Sequence, residues 1–245
     1  MDIENYQTPK YETRIELLGL KLLILDVDDT LVRPCKPGFY EQYSTAVNKA
    51  VAVFLKTDLE TGTKIANYYR KHFGGGEQAL FSGTIGSYFP EYSIRAPDFK
   101  TLYDMIVKID PQGFFEPHEE TIELINKIRK QEIFVAAVTS TPELLSRKIL
   151  AECGFNPEKD FDLYKAYTSE LGPPKMTQKS NIFVDIAKYF QVSPQEAFSI
   201  GDSYRYDIQP AQEIGMKTCL IGIQRPSKYD GLFAQNILEV FKAEN

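Results

Sequence analysis

The stretch Leu22-Leu23-Ile24-Leu25-Asp26-Val27-Asp28-Asp29-Thr30-Leu31 runs apolar and then breaks into three acids and a hydroxyl. A buried strand that ends in carboxylates points to an active site, because ligands of open α/β sheets bind in the crevice outside the carboxyl ends of the strands. Strand alternation puts Asp26 and Asp28 on one side. Like charges that close repel, and one takes up a proton unless something positive lies between them. A divalent cation meets that need, since Mg²⁺ takes oxygen ligands and is held by one or two carboxylates together with a substrate phosphate. The cluster therefore reads as a Mg²⁺ and phosphate site. The alternative is an N-cap and turn cluster, where Asp and Thr are also favoured.

Three further signals follow in the chain. Phe134-Val135-Ala136-Ala137-Val138-Thr139-Ser140 is a second apolar run ending in hydroxyls, which suit phosphate oxygens. Ser140 or Thr141 can equally cap a helix beginning near Pro142, and a helix N-terminus is itself an anion site. Phe198-Ser199-Ile200-Gly201-Asp202 ends a later strand, with Asp207 five positions on. Asp202 can complete a metal site and Asp207 can support it, while Gly201 allows close approach. Between these lies Gly172-Pro173-Pro174-Lys175-Met176-Thr177-Gln178-Lys179, a turn-rich loop with two lysines before a helix. Either ammonium can reach a phosphate, although isolated lysines are ordinarily solvated surface.

These residues need elements to position them. Short apolar runs at Leu22–Leu25, Ile133–Val138, Asp162–Tyr167, Ala197–Ile200 and Thr218–Ile221 alternate with helical stretches, among them Glu119–Lys130 and Ser180–Phe190. That alternation predicts an α/β fold, a doubly wound parallel sheet with crossover helices. Between Pro34 and Glu116 the pattern becomes helical throughout, at Tyr40–Leu55, Leu59–His72 and Phe99–Ile109, with Gly74-Gly75-Gly76 as a break. Roughly eighty residues is far more than a βα connection needs. The organisation expected is a core of residues 1–34 and 116–245 with a smaller α-helical cap inserted at 35–115, rather than helices that simply cover the sheet.

With 245 residues, 43% of them hydrophobic and 25% charged, the chain has an ordinary globular composition. A net charge of −6 and a pI near 5.2 argue against a nucleic-acid partner. Cys35, Cys153 and Cys219 are widely spaced and odd in number, which indicates neither a disulfide framework nor a zinc site. No signal-like start and no apolar run of about 20 residues is present, so a cytoplasmic protein without membrane contact is expected. His72 and His118 have no partner at metal-ligand spacing and read as structural. Oligomeric state is open.

Taken together, the chain resembles the haloacid dehalogenase-like superfamily, with the likeness covering nearly the whole sheet region. Asp26-Val27-Asp28-Asp29-Thr30 is similar to its first motif, Thr139 to its second, the lysine loop to its third, and Gly201-Asp202 through Asp207 to its fourth. The resemblance implies a Rossmann-like core and a phosphatase acting on a small phosphorylated metabolite, with Asp26 as nucleophile and Asp28 as general acid and base. It implies Mg²⁺ held by Asp26, the backbone carbonyl of Asp28 and Asp202, with Asp207 as a further ligand or supporting partner. Thr139 and one lysine would meet the phosphoryl group, and Thr30 and Ser140 are further candidates for substrate contact. Lys179 lies 23 residues before Asp202, which matches one family spacing; Lys175 follows the glycine turn but needs about two extra residues. Members that cleave carbon–halogen bonds lack an acid at the position of Asp28, so a phosphate substrate is expected. The stretch Asn67-Tyr68-Tyr69-Arg70-Lys71-His72-Phe73-Gly74 resembles the cap of pyrimidine 5′-nucleotidase-like members. A phosphomutase shares every core residue, and a non-catalytic phosphate-ligand-binding regulator is a third reading.

Overall fold

The computed structural model describes residues 19–73, 76–81, 84–92, 99–172, 174, 181–227 and 229–241. Six parallel strands form one sheet: β1 (Leu22–Asp26), β2 (Phe134–Pro142), β3 (Leu163–Tyr167), β4 (Ala197–Gly201), β5 (Lys217–Ile221) and β6 (Leu232–Ala234). Their order is β3-β2-β1-β4-β5-β6. The chain thus winds outward from β1 in one direction and from β4 in the other, which makes the β1/β4 boundary the switch point where α/β sheets bind ligands. The α/β architecture is the one the alternation of runs predicts. The sixth strand is an addition, because the three residues Leu232-Phe233-Ala234 are too few to show a period.

β1 is the central strand, paired with β2 through Leu22–Asp26 and with β4 through Leu22–Leu25. Its four apolar residues are each at most 1% exposed, as a strand covered on both faces requires. Leu23 and Leu25 pack in the same cluster as Ile125, Ile128, Leu145 and Ile149. Leu22 and Ile24 face the other way, against Ile182, Phe183 and Ile186. A single run with period two therefore holds helices on both sides of the sheet.

Five helices follow β1: α1 (Phe39–Leu55), α2 (Leu59–Phe73), α3 (Gln78–Phe81), α4 (Ile85–Tyr88) and α5 (Phe99–Ile106). No strand occurs among the described residues between Pro34 and Glu116. α1 and α2 approach closely because Gly62 carries no Cβ; one placed there would come within 2.8 Å of the Ala52 Cα. α5 stops at Ile106, three residues short of the periodic stretch, as Ile109 N–H turns back to the Ile106 carbonyl at 3.0 Å. Beyond them, α6 (Glu119–Arg129), α7 (Glu143–Glu152) and the helix Ile182–Tyr189 accompany the sheet.

The five helices meet the sheet from two sides. Tyr167, at the end of β3, donates its hydroxyl to the Phe99 carbonyl and packs its ring against Phe81 and Tyr103. On the β4 side, Arg205 Nη1 and Tyr206 Oη both donate to the Phe73 carbonyl, at 3.2 and 3.5 Å. No helix among the described residues is long and apolar enough to cross a membrane.

Truncating the centre of this arrangement should be costly. Leu23→Ala removes a side chain with no exposure, and a loss of about 2–5 kcal/mol is expected for such a cavity. Urea denaturation should show a lower midpoint with an unchanged slope.

Candidate active site

β1 delivers Asp26 at its last residue, 6% exposed, and the chain then turns sharply. Leu31 and Val32 N–H groups fold back onto the Val27 carbonyl at 2.9 and 3.0 Å, and Asp28 bridges to Val32. Asp29 takes a left-handed conformation (φ 58°), which aspartate tolerates better than most residues. Its side chain is committed to that turn: Oδ1 accepts from Tyr40 Oη at 2.7 Å and from Arg33 Nε at 3.1 Å. Arg33 Nη2 also donates to the Asp29 carbonyl at 3.0 Å. Burial and the bond to Asp29 push the Tyr40 phenol far above its usual value.

β2 ends beside it. Thr139, fully buried, donates its hydroxyl to Asp28 Oδ2 at 2.5 Å and accepts the Thr141 N–H at 2.9 Å. Ser140 and Thr141 line the cleft in front of them. Tyr43 of α1 lines it too; burial first, then the charges of Glu77 and Asp28, push its phenol well up.

β4 brings the remaining acids. Gly201 closes the strand, and a Cβ there would overlap the Asp207 side chain. Asp207 is 2% exposed and sits in a single π-type turn, Tyr204–Ile208. Its Oδ2 accepts the Ser203 N–H at 3.0 Å, and its carbonyl accepts Ser199 Oγ at 3.0 Å. Asp26, Asp202 and Asp207 each offer a carboxylate oxygen, all within 4.8 Å of one another, two of the residues buried and Asp202 exposed. An all-carboxylate donor set with one open face suits a hard divalent cation. The Asp28 carboxylate is not part of that set.

These groups share a cleft of about 240 Å³, which Asp26, Asp28, Ser140, Asp202 and Asp207 all line. Thr30 is placed elsewhere: it is buried and lines a smaller cavity of about 150 Å³ with His118 and Thr121. Lys175 and Lys179 lie outside the described residues. His72 packs on the Tyr68 ring at 4.4 Å, and His118 caps α6, its imidazole pushed down by burial. Tyr43 and Tyr206, which also line the cleft, have no motif to announce them. Tyr206 lines the cleft and accepts from Gln78 Nε2 at 3.3 Å. Burial raises the carboxyl of Glu77 above its usual range, with Arg70 opposing.

The haloacid dehalogenase-like hydrolase profile matches residues 20–215. The chain belongs to this family. Among similar proteins of the hydrolase family, the glyceraldehyde 3-phosphate phosphatase of Methanopyrus kandleri is 26% identical over 226 residues, covering 89% of each chain. The protein of the same name from Methanocaldococcus jannaschii is 25% identical over 211 residues, covering 82% of this chain and 85% of the other. The same fold occurs in CbbY from Rhodobacter sphaeroides in complex with phosphate, with a TM-score of 0.58 at 15% identity over 90% of this chain and 99% of that one. A HAD phosphatase from Thermococcus onnurineus aligns with a TM-score of 0.57 at 16% identity, covering 90% and 96%.

Gly201→Ala should displace Asp207 and spread the three carboxylates. A stability loss of roughly 1–3 kcal/mol is expected for such overpacking. Thermal denaturation reads that loss, and calorimetric titration with a divalent cation should show weakened binding.

Proposed function

We propose that the chain is a Mg²⁺-dependent phosphomonoester hydrolase that works through an aspartyl-phosphate on Asp26. The observation that carries this reading is the division of labour among four acids. Asp26, Asp202 and Asp207 converge on one point, while Asp28 stands outside that set on the Thr139 hydroxyl. One carboxylate beside a phosphoryl group can attack it, and a second, held apart from the cation set, is available for proton transfer.

In this mechanism the Asp26 carboxylate attacks phosphorus, forming an acyl phosphate as the bond to the leaving oxygen breaks. Asp28 gives its proton to that oxygen. The Asp28 carboxylate then takes a proton from a water that attacks the same phosphorus, releasing phosphate and restoring Asp26. Thr139 orients Asp28, while Ser140 and one of Lys175 and Lys179 meet the phosphoryl oxygens, whose charge is the main thing such a site must stabilise. Mg²⁺, held by Asp26, Asp202, Asp207 and the backbone carbonyl of Asp28, would supply charge neutralisation at those oxygens.

Residues 35–115 act as the cap over a core of 1–34 and 116–245. The bonds of Arg205, Tyr206 and Tyr167 to helices of that stretch support this division, since a cap seated on the strand ends excludes water from the reaction. The cleft of about 240 Å³ is smaller than the ~300–1,000 Å³ typical of sites for drug-sized ligands, which favours a small metabolite over a nucleotide. The names of the two archaeal relatives make glyceraldehyde 3-phosphate the first substrate to try. Three free cysteines support a reducing, cytoplasmic setting.

Phosphate release from a panel of sugar phosphates, triose phosphates and nucleoside monophosphates, with and without Mg²⁺, tests the reading. Metal-dependent release that disappears in Asp26→Asn is the expected outcome. Turnover that survives Asp26→Asn would overturn the covalent mechanism. Asp28→Asn should still capture a phosphoryl group, seen as a phosphorylated protein by mass spectrometry, but lose roughly 10²–10⁴-fold in turnover as an acid/base group does. Thr139→Val should lower turnover in the same direction as Asp28→Asn, and full activity in either variant would remove the acid/base assignment.

A further inference from the structure

Asp29 stands in the left-handed region at φ 58°, directly after the acid that Thr139 holds. Glycine reaches that conformation freely, whereas a side chain there carries a steric cost. Here the carboxylate is put to use. Its Oδ1 accepts from Tyr40 Oη at 2.7 Å and from Arg33 Nε at 3.1 Å, and Arg33 Nη2 closes on the Asp29 carbonyl at 3.0 Å. The Asp29 N–H donates to the Val32 carbonyl at 2.8 Å. Side chain and main chain of this residue are thus both tied, and one of the peptides they fix is shared with Asp28.

Tyr40 brings the tie from outside the sheet. It lies in the first turn of α1 beside Phe39, which is buried and packs its ring on Phe115 at 4.9 Å and on Phe114 at 5.9 Å, on the chain leading back to α6. Across the same junction the Cys35 N–H donates to the Phe114 carbonyl at 2.8 Å. The outgoing and returning chains of the helical stretch therefore hold each other where α1 begins, which gives Tyr40 a firm base. A phenol donating to a carboxylate makes a charge-assisted bond, stronger than a neutral one. Tyr40 and Asp29 line the cleft together with Asp26 and Asp28.

We propose that Tyr40 and Asp29 are positioning residues for the acid/base step, forming a strut from α1 to the turn after β1 that fixes how Asp28 presents its carboxyl. This role rests on the phosphatase reading above and adds to it two residues that act through Asp28. Thr139 holds the Asp28 side chain from β2, and the strut holds the adjoining main chain from α1. Its loss leaves Asp26 at the end of β1 and misaims the proton donor, and a small misplacement of a catalytic group is costly in rate.

The test is the leaving-group dependence of kcat/KM in the full chain with Mg²⁺, since that constant covers the steps up to departure of the leaving group. The alkyl ester glycerol 3-phosphate needs a proton on its leaving oxygen, whereas p-nitrophenyl phosphate releases a stabilised phenolate that does not. Asp29→Gly keeps the left-handed turn and removes the strut, and Tyr40→Phe removes its bond to α1. Each should lower kcat/KM for the alkyl ester by about tenfold, part of the ~10²–10⁴ that a positioned acid contributes, and for the aryl ester several-fold less. Asp29→Asn, which keeps an acceptor for Tyr40 and tolerates the left-handed backbone, should lose less than Asp29→Gly. In an Asp28→Asn background neither change should widen the gap between the esters further, because the group being aimed is gone. A purely structural role would lower both esters by one factor. Equal losses for the two esters, full alkyl-ester activity in folded Asp29→Gly or Tyr40→Phe protein, or a further widening on top of Asp28→Asn would overturn the proposal. Thermal denaturation checks that the variants fold, and Tyr40→Phe carries the test alone if Asp29→Gly does not. Asp26-dependent hydrolysis with equal losses sinks the strut alone, and no Asp26-dependent hydrolysis of either ester sinks the phosphatase reading and the strut with it.

Discussion

Three carboxylates that offer oxygens within 4.8 Å of one another must be held together against their own repulsion. Two unit charges at ~4 Å oppose each other by about 4 kcal/mol at an effective dielectric near 20. Here the restraint comes from main chain. β1 and β4 are paired in register from Leu22↔Ala197 to Leu25↔Ile200, so Asp26 leaves its strand level with Gly201 and Asp202 follows one residue beyond at the adjacent strand end. Asp207 is then pressed in by a turn that bonds its own carboxylate to the Ser203 N–H and lies flush on Gly201. The burial of β1 on both faces is what makes that pairing rigid enough to carry the cluster.

The same constraint organises the surroundings. Because β1 and β4 flank the point where the strand order reverses, the cleft opens between the two halves of the sheet, and β2 contributes from one side and the turn after β4 from the other. The helices after β1 reach both sides, through Tyr167 to Phe99 and through Arg205 and Tyr206 to Phe73. A chain of hydrogen bonds then runs from the end of β2 into the chemistry: Thr141 N–H to Thr139, and Thr139 to Asp28.

Much of the fold was legible because burial on both faces writes itself into sequence as unbroken apolar runs, as in Leu22–Leu25 and Ala197–Ile200. β6 escaped, since three residues packed at an edge need no such run. The turn at Tyr204–Ile208 escaped as well: its π-type geometry is imposed by the fit of Asp207 against Gly201, not by local propensity. Among site residues, Asp26, Asp28, Ser140, Asp202 and Asp207 stand where the motifs lie relative to the strands, at one cleft. Thr30 shows the limit of that reasoning. It follows the acids by one position, but the backbone reverses at Asp29 and turns its side chain into another cavity.

What the sequence by itself determined is the class of the sheet, the order of the strands along the chain and the residue types at their tips, because each follows from local patterns of burial and charge. Which acids gather into the cation set and which is held apart was decided only by tertiary structure, through the β1–β4 register and the Thr139 contact. The same holds for Tyr43 and Tyr206. Their place at the cleft depends on how helices distant in sequence settle on the strand ends, and no spacing within the chain encodes a contact that forms only when the two parts pack.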